Sequence, residues 1–266
     1  MTARSLDDVV AFLETTLSTS TYEDTSGNGL LVRGREQVAR IGAALNTSFA
    51  AIDRAIELDV DLLFVHHAPW ESIDLDLRAV KLERLNHAGI SLYAAHEALD
   101  RAKVASVAST LGRRLDLVVE QEGSSDLAVF TAPKMTFEAW TALVAERLDA
   151  PVRAWANSAR FERIAIVPGG GGSTTYLAEA AALGCDTFLT GEGSLYTELF
   201  AREKQLSLVF ATHAATELPA VCAFVETTAS ALGVEWSAIR ESEHISGGGR
   251  APIEHRQRDD PSFTQS

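Results

Sequence analysis

The residues with the most chemistry in this chain are histidines set just beyond apolar runs. Leu62-Leu63-Phe64-Val65 ends in His66-His67, and Ala68-Pro69 follows. Ile90 to Ala95 ends in His96, with Glu97 and Asp100 close behind. Leu206 to Ala211 leads to His213 and then Glu217. Imidazole nitrogen with carboxylate oxygen suits zinc, iron, manganese or nickel. Residues four apart share a helix face, so His96 with Asp100 and His213 with Glu217 can each converge on a point if those stretches are helical. A carboxylate can also bridge two cations, as two-metal catalysis requires. Taken singly, each cluster reads more simply as a solvated pair or a hydrogen-bonded strand end. Together they carry more weight, because α/β sheets place their chemistry at the carboxyl ends of their strands.

Two glycine-bearing segments sit at further strand exits. Pro168-Gly169-Gly170-Gly171-Gly172-Ser173 would let backbone amides approach an anion, but it lacks the Lys-Ser/Thr ending of a P-loop. A tight strand-to-helix turn with Ser173 or Thr174 as N-cap is the simpler reading. In Leu189-Thr190-Gly191-Glu192-Gly193 the glutamate is an acid/base group, a group that supports a neighbouring site residue, or part of a capping turn. His87, His244 and His255 lack a strand-exit placement and read as surface residues.

The elements that must position these residues follow from periodicity. Helices are expected over Ser5–Leu17, Phe49–Leu58, Leu75–Ala88, Thr136–Leu148, Thr174–Leu183, Leu195–Lys204 and Thr216–Leu232. Strands are expected over 29–34, 38–45, 61–65, 90–95, 127–131, 161–167, 187–190 and 206–211, with a loop over Tyr22–Asn28. The alternation implies α/β lobes with largely parallel sheets and helices on their faces. No sequence repeat is evident, yet the halves read as related lobes, 1–125 and 126–240. A glycine-rich, polar tail, 241–266, is expected to be disordered.

The chain has 266 residues, 46% of them hydrophobic, enough for one large domain or two lobes. Its 37 acidic against 23 basic residues give a net charge of −14. That argues against nucleic acid and anionic membranes as partners and is compatible with attraction of cations. The two cysteines form no CxxC pair, and Cys185 reads as core. With no apolar span of membrane length and no signal-like start, a cytoplasmic protein is expected.

The combination resembles the NIF-three-like family (NGG-interacting factor three), also labelled GTP cyclohydrolase I type 2. The carriers are Val65-His66-His67, Ser91-Leu92-Tyr93-Ala94-Ala95-His96-Glu97-Ala98-Leu99-Asp100, Asp186 to Glu192, and His213 to Glu217, in that order along the chain. The resemblance implies two interlinked α/β lobes with mixed, largely parallel sheets. It also implies a homohexameric ring with its sites facing a cavity. It implies two divalent metal ions per chain, held by His66, His67, Asp100, His213 and Glu217, with a carboxylate bridging and His96 nearby. There are departures. Thr212 and Ala214 flank His213 where the family has glycine and tyrosine, and Gly193-Ser194-Leu195-Tyr196 lacks a histidine found in many members.

Two functions stay open on the sequence. One is a metal-dependent hydrolase of a nucleotide or phosphoester-like small molecule, with His96 and Glu192 moving protons. The other is a non-catalytic metal-binding regulatory or scaffold ring.

Overall fold

The computed structural model describes residues 3–22, 28–102, 106–122 and 126–241. The expected tail beyond Ile245, most of the expected 22–28 loop, His244 and His255 lie outside the described residues. The first lobe runs through β1 (Arg4–Ser5), α1 (Leu6–Leu17), β2 (Gly29–Val32), β3 (Gln37–Val38), β4 (Arg40–Asn46), α2 (Phe49–Glu57), β5 (Leu62–His67), α3 (Glu71–Asp74), α4 (Asp76–Ala88), β6 (Ser91–Ala94) and α5 (Glu97–Asp100). The second runs through α6 (Val107–Arg114), β7 (Val118–Glu122), β8 (Ala128–Thr131), α7 (Phe137–Leu148), β9 (Val152–Trp155), β10 (Arg163–Val167), α8 (Thr174–Ala182), β11 (Thr187–Thr190), α9 (Leu195–Glu203) and β12 (Ser207–Ala211). Then α10 (His213–Leu232) leads back to the first lobe, where β13 (Glu235–Ala238) adds to its sheet.

The five-stranded sheet has the order β13-β4-β5-β6-β2 and the six-stranded one β7-β8-β10-β11-β12-β9. Each has a parallel centre with antiparallel strands at an edge. Both faces of each sheet are packed, which is why the central strands are almost continuous runs of apolar residues. This is the α/β architecture of interlinked lobes and mixed sheets that the sequence implies. Cys185 is in the core, near Phe188.

The lobes repeat a unit that the sequence hides. Both contain three parallel strands joined through helices, β4 to β6 and β10 to β12. An aspartate precedes the middle strand of each. Asp61 accepts hydrogen bonds from the Ala39 and Arg40 N–H groups at 2.8 and 3.0 Å. Asp186 accepts them from Glu162 and Arg163 at 2.9 and 3.3 Å. The carbonyls of the same aspartates accept from the N–H groups of Ser91 and Ser207, at 2.9 and 2.8 Å. Six residues beyond these aspartates stand His67 and Glu192; six beyond these serines stand Glu97 and His213. Equivalent strand exits of both lobes therefore carry the candidate chemistry.

Several elements escape the periodicity. β7, β9 and β13 are edge strands of four or five residues with much polar or half-exposed character. α6 has only eight residues, capped by Ser106. The expected division at 125/126 falls inside the second sheet, because β7 pairs with β8 and α6 packs Ala108 and Leu111 against Phe130 and Trp140. The last helix begins at His213 rather than Thr216, since the Thr212 side chain accepts from Ala215 N–H as its N-cap.

α10 ties the lobes together. Near its start, Ala215 packs in the second lobe's core with Leu189 and Val209. Further on, Ala220, Val221, Phe224 and Val225 pack in the first lobe's core with Ile41, Phe64 and Tyr93. The Phe224 and Phe64 rings lie 5.2 Å apart. Phe224→Ala leaves a cavity at this anchor and is expected to cost about 3–5 kcal/mol, read from the shift in urea-unfolding midpoint; an unchanged midpoint would show that the helix is anchored elsewhere.

Candidate metal centre

β5 extends through the paired histidines, with Asn46 of β4 opposite His67. His66 is fully buried and His67 nearly so, and their ring centroids are 4.9 Å apart. The end of β6 presents His96 at the N-terminal boundary of α5, with its ring stacked on His66 at 4.7 Å. Asp100 closes α5, its carboxylate 3.5 Å from His66 Nε2 and 3.8 Å from His96 Nδ1. From the other lobe, the first turn of α10 brings His213 and Glu217 onto one face. Glu217 Oε2 lies 3.0 Å from His213 Nε2 and 3.3 Å from His67 Nε2. Residues from both lobes thus meet at one point, and every site residue expected from the sequence is there.

Ligand atoms gather in two groups, each within 4.8 Å: His66, His67 and His96, and His67, His213 and Glu217. His67 belongs to both. The partners on the far side of each ring are equally ordered. His66 Nδ1 faces the Ala95 carbonyl at 2.9 Å, His67 Nδ1 the Asn46 Oδ1 at 2.7 Å, and His213 Nδ1 the Glu192 carboxylate at 3.0 Å. These contacts turn Nε2 of all three rings toward the centre, and a proton held on Nδ1 leaves a neutral ring its lone pair there. Glu192 is therefore bonded to His213, which fixes that ring.

The donors fit divalent cations. His66 Nε2, His213 Nε2 and Glu217 Oε2 are buried and make no hydrogen bond among the described residues, despite the short separations. Three unsatisfied atoms at one point cost about 1–3 kcal/mol each, and nitrogen with carboxylate oxygen is the donor set of borderline metals. Electrostatics point the same way. Burial lowers His66 to about 3, against the pull of Glu217, so the ring stays neutral. Burial also pushes Asp100 well above the carboxylate range, with the Glu217 charge adding to it. On His213, burial is outweighed by Glu217 and Glu192, which lift it to about 9. Burial of Glu217 is likewise outweighed by His213, His67 and His66, and it stays ionised well below the usual range.

The centre lines a cavity of about 520 Å³ between the lobes, with Trp70, Leu45 and Glu241 on one side and Asp126, Tyr176 and the 168–171 turn on the other. Asp126 accepts from the Tyr176 hydroxyl at 2.8 Å.

A family model described as Duf34/NIF3 (NGG1p interacting factor 3) matches residues 4–244. The chain belongs to this family. A protein of Allochromatium vinosum named GTP cyclohydrolase 1 type 2 homolog is 33% identical over 246 residues, covering 89% of this chain and 96% of its own. A solved structure described as protein ybgI, of unknown function, gives a TM-score of 0.83 at 25% identity over 90% of this chain and 99% of that one. A Thermus thermophilus protein gives 0.80 at 26% identity over the same shares.

Within this NIF3-family chain, the glycine-rich turn has a role its composition did not reveal. Gly169 has φ +59°, and a Cβ there would overlap the Glu217 carboxylate and crowd His213 Nε2. Its N–H donates to Thr216 Oγ1 at 2.9 Å, and its carbonyl accepts from Glu192 N–H at 3.0 Å. A Cβ on Gly191 would press on that carbonyl and on the His213 backbone. The turn is packed against the ligands, and Ser173 caps α8 by accepting from Thr175 N–H, as the simpler reading expects. Asn46 and Trp70 carried no motif; only their places after an apolar run and just past the histidine pair marked them. His87 is exposed.

Gly169→Ala is expected to lower cation affinity by at least about 10-fold, the scale of lost support to a ligand, as measured by calorimetric titration; unchanged affinity would mean that the turn does not hold Glu217. In the metal-free protein His213 contributes stability fully below its unfolded pKa near 6.5, and this is lost as pH rises through about 9. A cation needs the neutral ring, so binding at neutral pH is expected to release a proton that His213→Gln does not release, detected with an indicator dye. Binding with equal proton release in both proteins would remove His213 from the ligands.

Proposed function

We propose that this chain holds two divalent cations between its lobes and is a metal-dependent hydrolase of a nucleotide or phosphoester-like small molecule, akin to the GTP cyclohydrolase I type 2 label of its relatives. What supports this most is that two groups of ligand-type residues, one within the first lobe and one including His213 and Glu217 of the last helix, meet at His67. Asp100 completes the first group beside His66, and Glu217 serves the second. Divalent cations there would supply Lewis acidity and bring the pKa of a water from about 16 towards about 7.

The remaining tasks fall to the chain's own groups. His66, His67 and His213 offer Nε2 and hold their other proton on Nδ1. Glu192, a proton carrier on the sequence reading, holds His213 instead. His96, partly exposed beside Trp70 on the cavity wall, is the imidazole placed to carry a proton between cavity and solvent. Trp70 and Leu45 give an apolar wall for the organic part of a substrate, and Asp126 with Tyr176 a polar one. The proposal takes the homohexameric ring from the family resemblance and keeps the cytoplasmic place expected from the sequence. No helix among the described residues is long and apolar enough to cross a membrane. The charge of −14 argues against nucleic acid as substrate.

Elemental analysis of the loaded protein should give two ions per chain, and fewer than two after His213→Ala or His67→Ala. Hydrolysis of GTP or of a phosphoester panel should disappear in Asp100→Ala. Normal metal content in the His67 variant would end the proposal. Full metal content with no turnover on the panel would favour the non-catalytic ring.

A further inference from the structure

The tautomer of His67 decides whether the ligand shared by both groups presents a lone pair or a hydrogen to the centre. Its Nδ1 lies 2.7 Å from the side-chain oxygen of Asn46. An amide can present either end, so Asn46 alone fixes nothing. The other end of the amide meets Glu241, with Asn46 Nδ2 to Glu241 Oε2 at 2.6 Å. Glu241 arrives from 195 residues away because β13 pairs with β4 and delivers the chain just beyond it to the end of that strand.

We infer that Glu241 and Asn46 are positioning residues that set the tautomer of His67 and thereby keep the lone pair of its Nε2 turned to the cation site. The inference rests on the metal-centre reading above. Its steps follow from donor and acceptor inventories. An ionised carboxylate only accepts, so the amide must turn its NH₂ to Glu241. The amide oxygen then faces His67 and only accepts, so Nδ1 carries the ring proton. Nε2 is left with its lone pair, 3.3 Å from Glu217 Oε2. Without the carboxylate the amide can turn over, offer its NH₂ to Nδ1 and move the ring proton to Nε2, where it points at the cations. The relay reads the charge of a residue distant along the chain into the basicity of a ligand, as carboxylate–histidine–metal relays do.

The test uses ¹⁵N-labelled, metal-free protein and, separately, cobalt(II) titration followed by its visible absorption. The wild type should show the Nδ1–H tautomer at His67 in long-range proton–nitrogen correlation. Glu241→Ala should show a mixture of tautomers and about 10- to 100-fold weaker cobalt binding. Asn46→Asp keeps an acceptor for His67 but sets two carboxylates against each other, and it too should bind weakly. Adding Glu241→Gln to Asn46→Asp supplies an NH₂ that can donate to the new carboxylate, and should restore the tautomer and most of the affinity. A merely structural contact would not be rescued in this way. Wild-type tautomer and affinity in Glu241→Ala, or no rescue in the double variant, would overturn the inference. A wild type that binds no cobalt would instead refute the metal centre, while the tautomer measurement would still decide the relay.

Discussion

Three imidazoles in this protein set their Nδ1 atoms against fixed acceptors and turn Nε2 inward, where two carboxylates also converge. That arrangement is costly in the metal-free protein. Inward lone pairs and anionic oxygens repel, and burial denies them water. His213 responds by holding a proton, and Asp100 by resisting ionisation. A cation taking the place of those protons would offset the cost. The folded chain must supply enough binding energy elsewhere to keep these groups together.

It does so by crossing its own domain boundary. Both faces of each sheet are packed, giving each lobe its core, and α10 belongs to both. Its first turn supplies His213 and Glu217, and its later turns lie in the first lobe's core. β13 then joins the first sheet, so neither lobe can drift from the other without breaking a core and a strand pairing. The site is therefore built at a rigid seam. Close approach there leaves no room for a β-carbon at Gly191 or at Gly169, the latter in the turn that glycine content alone could offer to an anion.

The central strands were legible because they are buried, almost continuous apolar runs, and most helices because they have an apolar face or a serine or threonine cap. The ligands were legible as types and by resemblance to a family. Edge strands such as Val152–Trp155 and Glu235–Ala238 were not, because they are short, half-exposed and stabilised by a neighbour rather than by their own pattern. The repeat of Asp61 in Asp186 was invisible for a related reason. It is shared between the lobes as a set of backbone hydrogen bonds, which many sequences can make.

By itself the sequence determined which residue types could hold a cation, that they stand at strand exits, and that the central strands are parallel within α/β units, since these depend on residue chemistry and on local periodicity. Only the tertiary structure decided that the exits of two lobes face one another, that Glu192 steadies His213, and that Asn46 answers to Glu241. Those facts depend on which distant groups come within about 3 Å, and the order of residues along a chain does not contain that distance.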